Sequence, residues 1–511
     1  MSHIRWLFVA VLAIAAAGSF ACRSDPSETE RTDTGQFGGP GDDFTCQCSG
    51  WFPDWISANP PPANVESFQL AQGYPLGLPV VKTVAGVSKI VGWEPFDAAT
   101  VGPAAPWLAF DFHSASQRAD YLDALKNYAL EGMPEVDFVA QENPHRRWYH
   151  VPMMTTSPTS RREPYHGTTK ERALRADEHS WIAANQSLDS FAIGYYNVLG
   201  GYTIGQVFHD VDPGLADPSK ADFIDGAFVF KLIFAEYDPS QIVAALDPLV
   251  GAPEWQVQDV GAPTAPLKNV RLIQLDIAVK DPRAAQTGWV FATYAYDKSL
   301  AAEPVQWRRL TAVGLQWGND PDVTGPGVGT LNESWTNESA LPAVFQGHLG
   351  RDGRLNGPVD NPASSCLSCH STAQVVVGAT SLSAFRGARL FPPGGCSNVQ
   401  DMTWFRNIAG GTPFGVMNNS GNGCATASTP LAIHSMDYSL QLADALESAL
   451  FRGNPNPCAA SALAALAAAA APGDERSEQR NRMLLPRASR VRLDESVMKR
   501  LRSQEPAQVT R

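Results

Sequence analysis

Basic residues are in short supply in this chain. Its 511 residues carry 39 Lys and Arg against 52 Asp and Glu, a formal charge of −13, which argues against a nucleic acid partner. Long apolar runs are missing as well. A membrane helix needs about 20 consecutive apolar residues, and the best candidate, from Trp6 to Ala21, is too short to span a bilayer comfortably. No repeat of fixed period organises the chain. With 44% hydrophobic residues there is ample material for a large core, and the length is that of about three domains.

The most informative stretch is Cys366-Leu367-Ser368-Cys369-His370. Two thiols three apart, followed at once by an imidazole, are what covalent attachment of a c-type haem requires. The sulfurs bond the two vinyl-derived carbons of one porphyrin edge, and the next residue turns its imidazole under the ring to ligate iron. Chance would produce on the order of 0.002 such matches in a chain of this composition. Two rivals fit less well. A thioredoxin-like pair should open a helix after a strand, yet the lead-in from Gly350 to Pro358 reads as loop. A zinc site would want a second close Cys or His pair, and the sequence has none nearby.

The sixth position of an iron held by His370 separates electron carriers from haem enzymes. Met402, in Gln400-Asp401-Met402-Thr403-Trp404-Phe405-Arg406-Asn407, is the preferred ligand because its aromatic neighbours would wall off the haem edge. Met417, Met436, His434, His348 and His150 stay open as alternatives, and core filling is the commoner use of any one methionine. Gly387-Ala388-Arg389-Leu390-Phe391 before Cys396 resembles a haem-motif lead-in, but the second Cys and the His are missing there, so one covalent haem is expected.

The two ends speak of location. His3 and Arg5 followed by Trp6 to Ala17 have the build of an export signal, giving a signal peptide at 1–21. Ser19-Phe20-Ala21-Cys22 resembles a lipobox, with lipid at Cys22, although Ser19 stands where Leu is usual. A flexible tether follows at 22–45, too poor in large apolar side chains to fold. An Ala-rich and charged tail occupies 456–511 and reads as a solvated end. In an oxidising compartment the remaining cysteines favour disulfides, and Cys396 with Cys424 is the preferred pair. Cys46, Cys48 and Cys458 are left over.

Between these ends lie a mixed region at 46–185, a β-rich region at 186–335 and a haem-binding region at 336–455. Ser116 to Glu131 reads as a helix with Ser116 as cap, Tyr121, Leu125 and Tyr128 on the core face, and Gly132 as stop. Gly226 to Phe234, Val270 to Val279, Trp289 to Tyr296 and Trp307 to Trp317 read as strands of a largely antiparallel sheet. Several are apolar on both parities, as in a sheet covered on two faces. Glu236 and Asp276 in these strands are expected on solvent faces. Tyr438 to Phe451 reads as a helix capped by Ser435 or Asp437, with Leu442, Leu446 and Leu450 on one face. A cluster of His145, His150 and His166 with Arg146, Arg147, Arg161 and Arg162 offers either an anion site, for haem propionates or a substrate, or a solvated loop.

On Asn356 to His370, and further on Trp404 to Asn407 and Arg147 to His150, the chain resembles the large single-haem cytochrome c domain proteins of bacteria, which are exported and often lipid-anchored. The resemblance implies haem c and electron transfer with donor and acceptor proteins on the periplasmic side of the cell envelope, and no known substrate. Unlike small soluble cytochromes, the chain lacks an amphipathic helix directly before the motif. The fold expected is α+β: a mainly antiparallel, β-rich central region with a small, mostly helical cytochrome c-like haem region on the C-terminal side. A haem enzyme with an open axial position, of peroxidase or oxidase type, and a haem-based sensor or binding module are the rival functions.

Overall fold

Nine antiparallel strands joined in one sheet organise the described part of the molecule. The computed structural model describes residues 71, 74, 78–84, 87–94, 105–151, 163, 165–208, 217–258, 266–338, 342–345, 348–376, 387–417, 424 and 432–451. Contacts divide the chain into Met1–Gln36 and Phe37–Arg511, and every described residue belongs to the second unit. The signal peptide, Cys22, the tether, Cys46, Cys48, Arg161, Arg162, Cys458 and the charged tail lie outside the described residues.

A separate hairpin of β1 (Leu78–Val84) and β2 (Val87–Glu94) comes first. Helix α1 (Arg118–Leu130) precedes β3 (Tyr149–His150), β4 (Thr169–Lys170), β5 (Leu174–Arg175), β6 (Ser187–Leu188) and β7 (Ser190–Tyr196). Helix α2 (Val198–Phe208) leads to β8 (Phe228–Glu236), β9 (Glu254–Gln258), β10 (Leu267–Lys280), β11 (Trp289–Tyr296), β12 (Leu310–Gln316) and β13 (Ser334–Thr336). In the large sheet the order is β13-β12-β11-β10-β8-β7-β3, with β4 beside β7 and β9 beside β10. The class is therefore α+β with a β-rich core, and the strands expected from the sequence appear within a few residues of their places. Every residue of β11 is buried, which is what a strand apolar on both parities requires of a sheet covered on two faces.

One extra residue in β10 decides what each face carries. Register against β8 slips between Leu272 and Gln274, leaving Ile273 as a bulge. Before it, Val270 and Leu272 point into the first core, with Phe228, Phe230, Leu232 and Phe234 of β8; after it, that face is taken by Leu275, Ile277 and Val279. A bulge reverses parity in this way because two residues oppose one. Gln274, Asp276, Ala278 and Lys280 consequently point to the second face. Helix α1 covers the first face, burying Tyr121, Leu125 and Tyr128 as expected. Its cap is not Ser116: the helix opens after Gln117 without a side-chain cap, and the Ser116 hydroxyl bonds Ser114 instead.

The second face is covered by the C-terminal segment. It holds α3 (Cys366–His370), β14 (Gln374–Val376), α4 (Asn398–Asp401), β15 (Ile433–Ser435) and α5 (Leu440–Phe451). Ser439 caps α5 by accepting from Leu442 N at 3.1 Å, where Ser435 or Asp437 was expected. Asp437 has a larger task. Its carboxylate accepts from Lys280 Nζ (2.7 and 2.5 Å), Trp289 Nε1 (2.8 Å) and Phe223 N (2.8 Å) with no solvent exposure. Cys396 and Cys424 form a disulfide with Cα atoms 5.6 Å apart, 28 residues apart in sequence, worth about 3–4 kcal/mol by loop-closure entropy. No helix among the described residues is long and apolar enough to cross a membrane.

Lys280→Met would leave the Asp437 carboxylate buried and without its counter-charge. Breaking a buried pair costs about 3–5 kcal/mol, so the urea midpoint of this variant should fall by that equivalent. A midpoint within experimental error of the parent would show that Asp437 is held without the lysine.

Candidate functional site

Three rows of cross-strand neighbours on the second face form the floor of the site. Lys231, Asp276 and Thr293 stand abreast on β8, β10 and β11. Two residues along, Val229, Ala278 and Phe291 form an apolar row. Lys280 and Trp289 form the third and grip Asp437. The motif lies over the first two rows.

Helix α3 is a single turn, and its sequence explains why so short a piece holds. Ser365 accepts from Ser368 N at 3.2 Å while the Ser368 hydroxyl accepts from Ser365 N at 2.8 Å, a reciprocal capping box that satisfies two otherwise orphaned donors. Gln316 of β12 docks the turn by accepting from Leu367 N at 3.0 Å, and the Leu367 side chain is fully buried. Cys366, Cys369 and His370 are left partly exposed on this turn, and the two cysteines are not bridged to one another. Cys366 packs where the two large apolar cores meet. Burial, followed by the charges of Asp360 and Asp276, pushes its thiol well above the ordinary range.

His370 is oriented from outside the motif. Its Nδ1 donates to the Tyr438 carbonyl at 2.8 Å, and the ring lies 4.7 Å from that of Phe291, centroid to centroid. Nε2 makes no hydrogen bond among the described residues. Burial, partly opposed by the bond to Tyr438, lowers its pKa to about 4, so the imidazole is neutral at pH 7. Metal-ligating histidines are characteristically fixed in this manner, one nitrogen held by a carbonyl and the other presented to the metal. The residues present thus fit the group the motif implies: two thiols on one turn beside an imidazole whose Nδ1 is held and whose Nε2 has no hydrogen bond among the described residues. Among the described residues no three His, Cys, Asp or Glu side chains gather to hold a metal ion, so the thiols have no further ligands of the zinc kind there.

The carbonyl that holds His370 comes from a turn forced into unusual backbone. Asp437 and Tyr438 have φ of 46° and 68°, a region that non-glycine residues adopt at a cost of about 1–3 kcal/mol each. The Lys280, Trp289 and Phe223 bonds to Asp437 fix one side of the turn, and the Tyr438 hydroxyl donates to Ile408 O at 2.6 Å on the other.

Asp276 is corrected from a solvent-facing strand residue to a member of this site. It accepts from Thr293 Oγ1 at 2.9 Å and Gln274 Nε2 at 2.5 Å. Burial first, and then the Asp360 carboxylate, push its pKa up to about 7. Lys231 pairs with Glu171 at 3.1 Å; burial opposes its charge, but Glu171, Asp276 and Asp360 hold its pKa above the ordinary lysine value. Glu236, by contrast, accepts from Asp189 N at 3.2 Å and pairs with Lys268 at 3.4 Å, away from this site. Asp360 is positioned by its turn, whose carbonyls are clamped by His179 Nε2 to Pro358 O (2.7 Å) and His348 Nε2 to Asp360 O (3.2 Å).

Comparison with protein families, curated proteins and solved structures returns no match to this chain. The site is therefore read from its own residues.

The structure separates several residues that the sequence offered together. His145 and Arg146 face Glu131 at the end of α1, and Arg146 stacks over Tyr128. His166 stacks on Trp255 of β9. His150 is fully buried, its Nδ1 accepting from Ala71 N, and packs against Tyr195 of the first core. The sheet thus lies between His150 and the motif, which removes it as an axial ligand. Met402 opens a short 3-10 turn (Met402–Phe405) that neighbours α3, and packs with Trp404, Phe405 and Met417 in a small third core. Met436 is fully buried in the core that also holds Leu367. His434 pairs with Val375 between β14 and β15.

The His179 clamp carries a pH signature. Burial and the neighbouring His348, with ring centroids 4.9 Å apart, lower the His179 pKa to about 4. An unfolded histidine titrates near 6.5, so the unfolded chain takes up the proton first and stability falls as pH drops from about 6.5 toward 4. The slope is about 1.4 kcal/mol per pH unit for one such group. Urea midpoints taken at pH 7 and pH 4.5 should converge in His179→Gln relative to the parent. An equal acid loss in both would remove His179 from the account.

Proposed function

We propose that this chain is a c-type cytochrome: one haem c attached through Cys366 and Cys369, its iron held by His370, transferring electrons on the periplasmic side of a bacterial cell envelope. The observation that carries the reading is the motif on a capped turn whose histidine is already fixed through Nδ1 to the Tyr438 carbonyl. When bound, the haem supplies a one-electron carrier. The chain's part is to present Nε2 neutral and unprotonated, to keep the ring from rotating, and to pack Phe291 and the Cys366 edge against the group. Met402 is the proposed sixth ligand, brought by its 3-10 turn to the neighbourhood of α3. The haem-binding part is proposed as a thin layer of short helices supported by the sheet. Export through the signal at 1–21, with lipid at Cys22, would place it in the compartment where such attachment occurs, facing donor and acceptor proteins there.

The reduced protein, expressed with its export signal, should show a low-spin c-type spectrum, unchanged by carbon monoxide, and the mass of one covalently added tetrapyrrole. Cys366→Ala with Cys369→Ala should abolish covalent attachment, and Met402→Ala should open the iron to the gas. Immediate carbon monoxide binding by the parent would overturn the electron-carrier reading in favour of an open, enzyme-like or sensing iron. A colourless product would end the haem reading altogether.

A further inference from the structure

The polar row beneath Cys366 has no use in haem attachment, and its composition is costly for a strand position in a two-sided core. Asp276 and Asp360 approach from opposite directions: Asp276 from the sheet, Asp360 from the turn before the motif. Gln274 lies between them. A Cβ on Gly357 would collide with Gln274 Nε2 and meet Asp360 Oδ2 at 2.5 Å, while the same Gln274 nitrogen donates to Asp276. The Gln274 amide is thus the link between two carboxylates, and the charge of Asp360 disfavours ionisation of Asp276. Lys231, one strand over, offers a compensating charge, but its nearest partner is Glu171.

We infer that Asp276 is a proton-binding site coupled to the redox state of the haem, so that the chain carries a proton together with its electron. The inference rests on the haem reading above. Were His370 to hold a haem iron, its one-electron reduction by a redox protein would add one negative charge to the site, and the Asp276 carboxylate would take up one proton from solvent. On oxidation the electron leaves to an acceptor and the proton returns to water. Charge and mass balance in both directions.

The groups facing Asp276 are known from each element around it. Lys231 stands on β8, Thr293 on β11, Gln274 on β10 itself, Glu171 behind Lys231, Asp360 on the preceding turn, and Cys366 on α3. His370 feels Asp360 and Lys231. Lys231 pairs with Glu171 and still favours the charged form of Asp276, so the upward displacement is net of it. The upward displacement of Asp276 agrees with the crowding seen in the geometry. Asp276 as a residue is half-buried.

The test is the midpoint potential of the haem-loaded protein as a function of pH. The parent should become harder to reduce as pH rises through neutrality, approaching a tenfold change in the oxidised-to-reduced ratio per pH unit, about 59 mV for one electron. Asp276→Asn should flatten this dependence. Asp360→Asn removes the repelling charge and should move the sloping region to lower pH without abolishing it, which keeps the test alive if the first variant fails to fold. An oxidised-minus-reduced infrared spectrum near pH 7 should show a protonated carboxyl band that disappears in Asp276→Asn. A loaded protein whose potential is independent of pH, or whose slope persists in Asp276→Asn, overturns the coupling while leaving the cytochrome intact. A product without covalent haem overturns both.

Discussion

Everything at the site hangs on one buried contact, the Asp437 carboxylate held between Lys280 Nζ and Trp289 Nε1. Charge buried at this depth is costly unless paired and hydrogen-bonded, and here every acceptor direction is used. Gly410 passes so close over the pair that a Cβ there would meet Lys280 Nζ at 2.5 Å, so the backbone itself closes the lid on it. The anchor lets Asp437 and Tyr438 persist in the left-handed region, and that backbone aims the Tyr438 carbonyl at His370. Strain of this kind survives where the surroundings over-determine it. The orientation of His370 therefore comes from a segment 68 residues further along the chain, while the turn that carries it is held by its own capping box.

The sheet converts register into chemistry. A slip of one residue in β10 would send Asp276 and Lys280 into the first core and Leu275, Ile277 and Val279 outward, so the apolar demand of the first core enforces the placement of the polar rows. The bulge at Ile273 adds the needed phase change. Beyond it, polar, apolar and basic rows follow one another along the second face. They meet the thiols, the imidazole and the Asp437 turn respectively.

This arrangement accounts for what the sequence could and could not reveal. The motif, the strands, the core face of α1 and the Cys396 to Cys424 bridge were legible because each is local or depends on composition alone. Asp276 was misplaced because the face opposite Leu275, Ile277 and Val279 was taken for solvent, whereas the C-terminal segment packs over it. A better signal was available: Lys231 is the one charge inside β8 before its terminal Glu236, and Asp276 is the one acidic residue of β10, set between Leu275 and Ile277. Such residues must be paired or functional. The caps were misassigned by a few residues because Ser435, Asp437 and Ser439 offer similar side chains, and only the tertiary contact with Lys280 removes Asp437 from the choice. The Arg and His cluster was an artefact of sequence proximity, since residues consecutive in a loop were drawn to different elements, Glu131 in one case and Trp255 in another.

On the proposed function, electrostatics would tie the attachment chemistry to the redox chemistry. The same two carboxylates that oppose a thiolate at Cys366 would favour the more positive, oxidised state of an iron nearby, while the apolar row under His370 favours the state of lower charge. These tendencies would oppose one another, and under the proposed coupling protonation of Asp276 would shift the balance between them. A fixed lysine in its place would raise the potential at every pH, and an apolar residue would leave burial as the main influence. Under that proposal, a carboxylate that feels another would let the field at the iron follow the electron. Lys231 is too well neutralised by Glu171 to serve that purpose, and the register that places it beside Asp276 keeps the remaining charge in the middle of the row, directly under the first thiol.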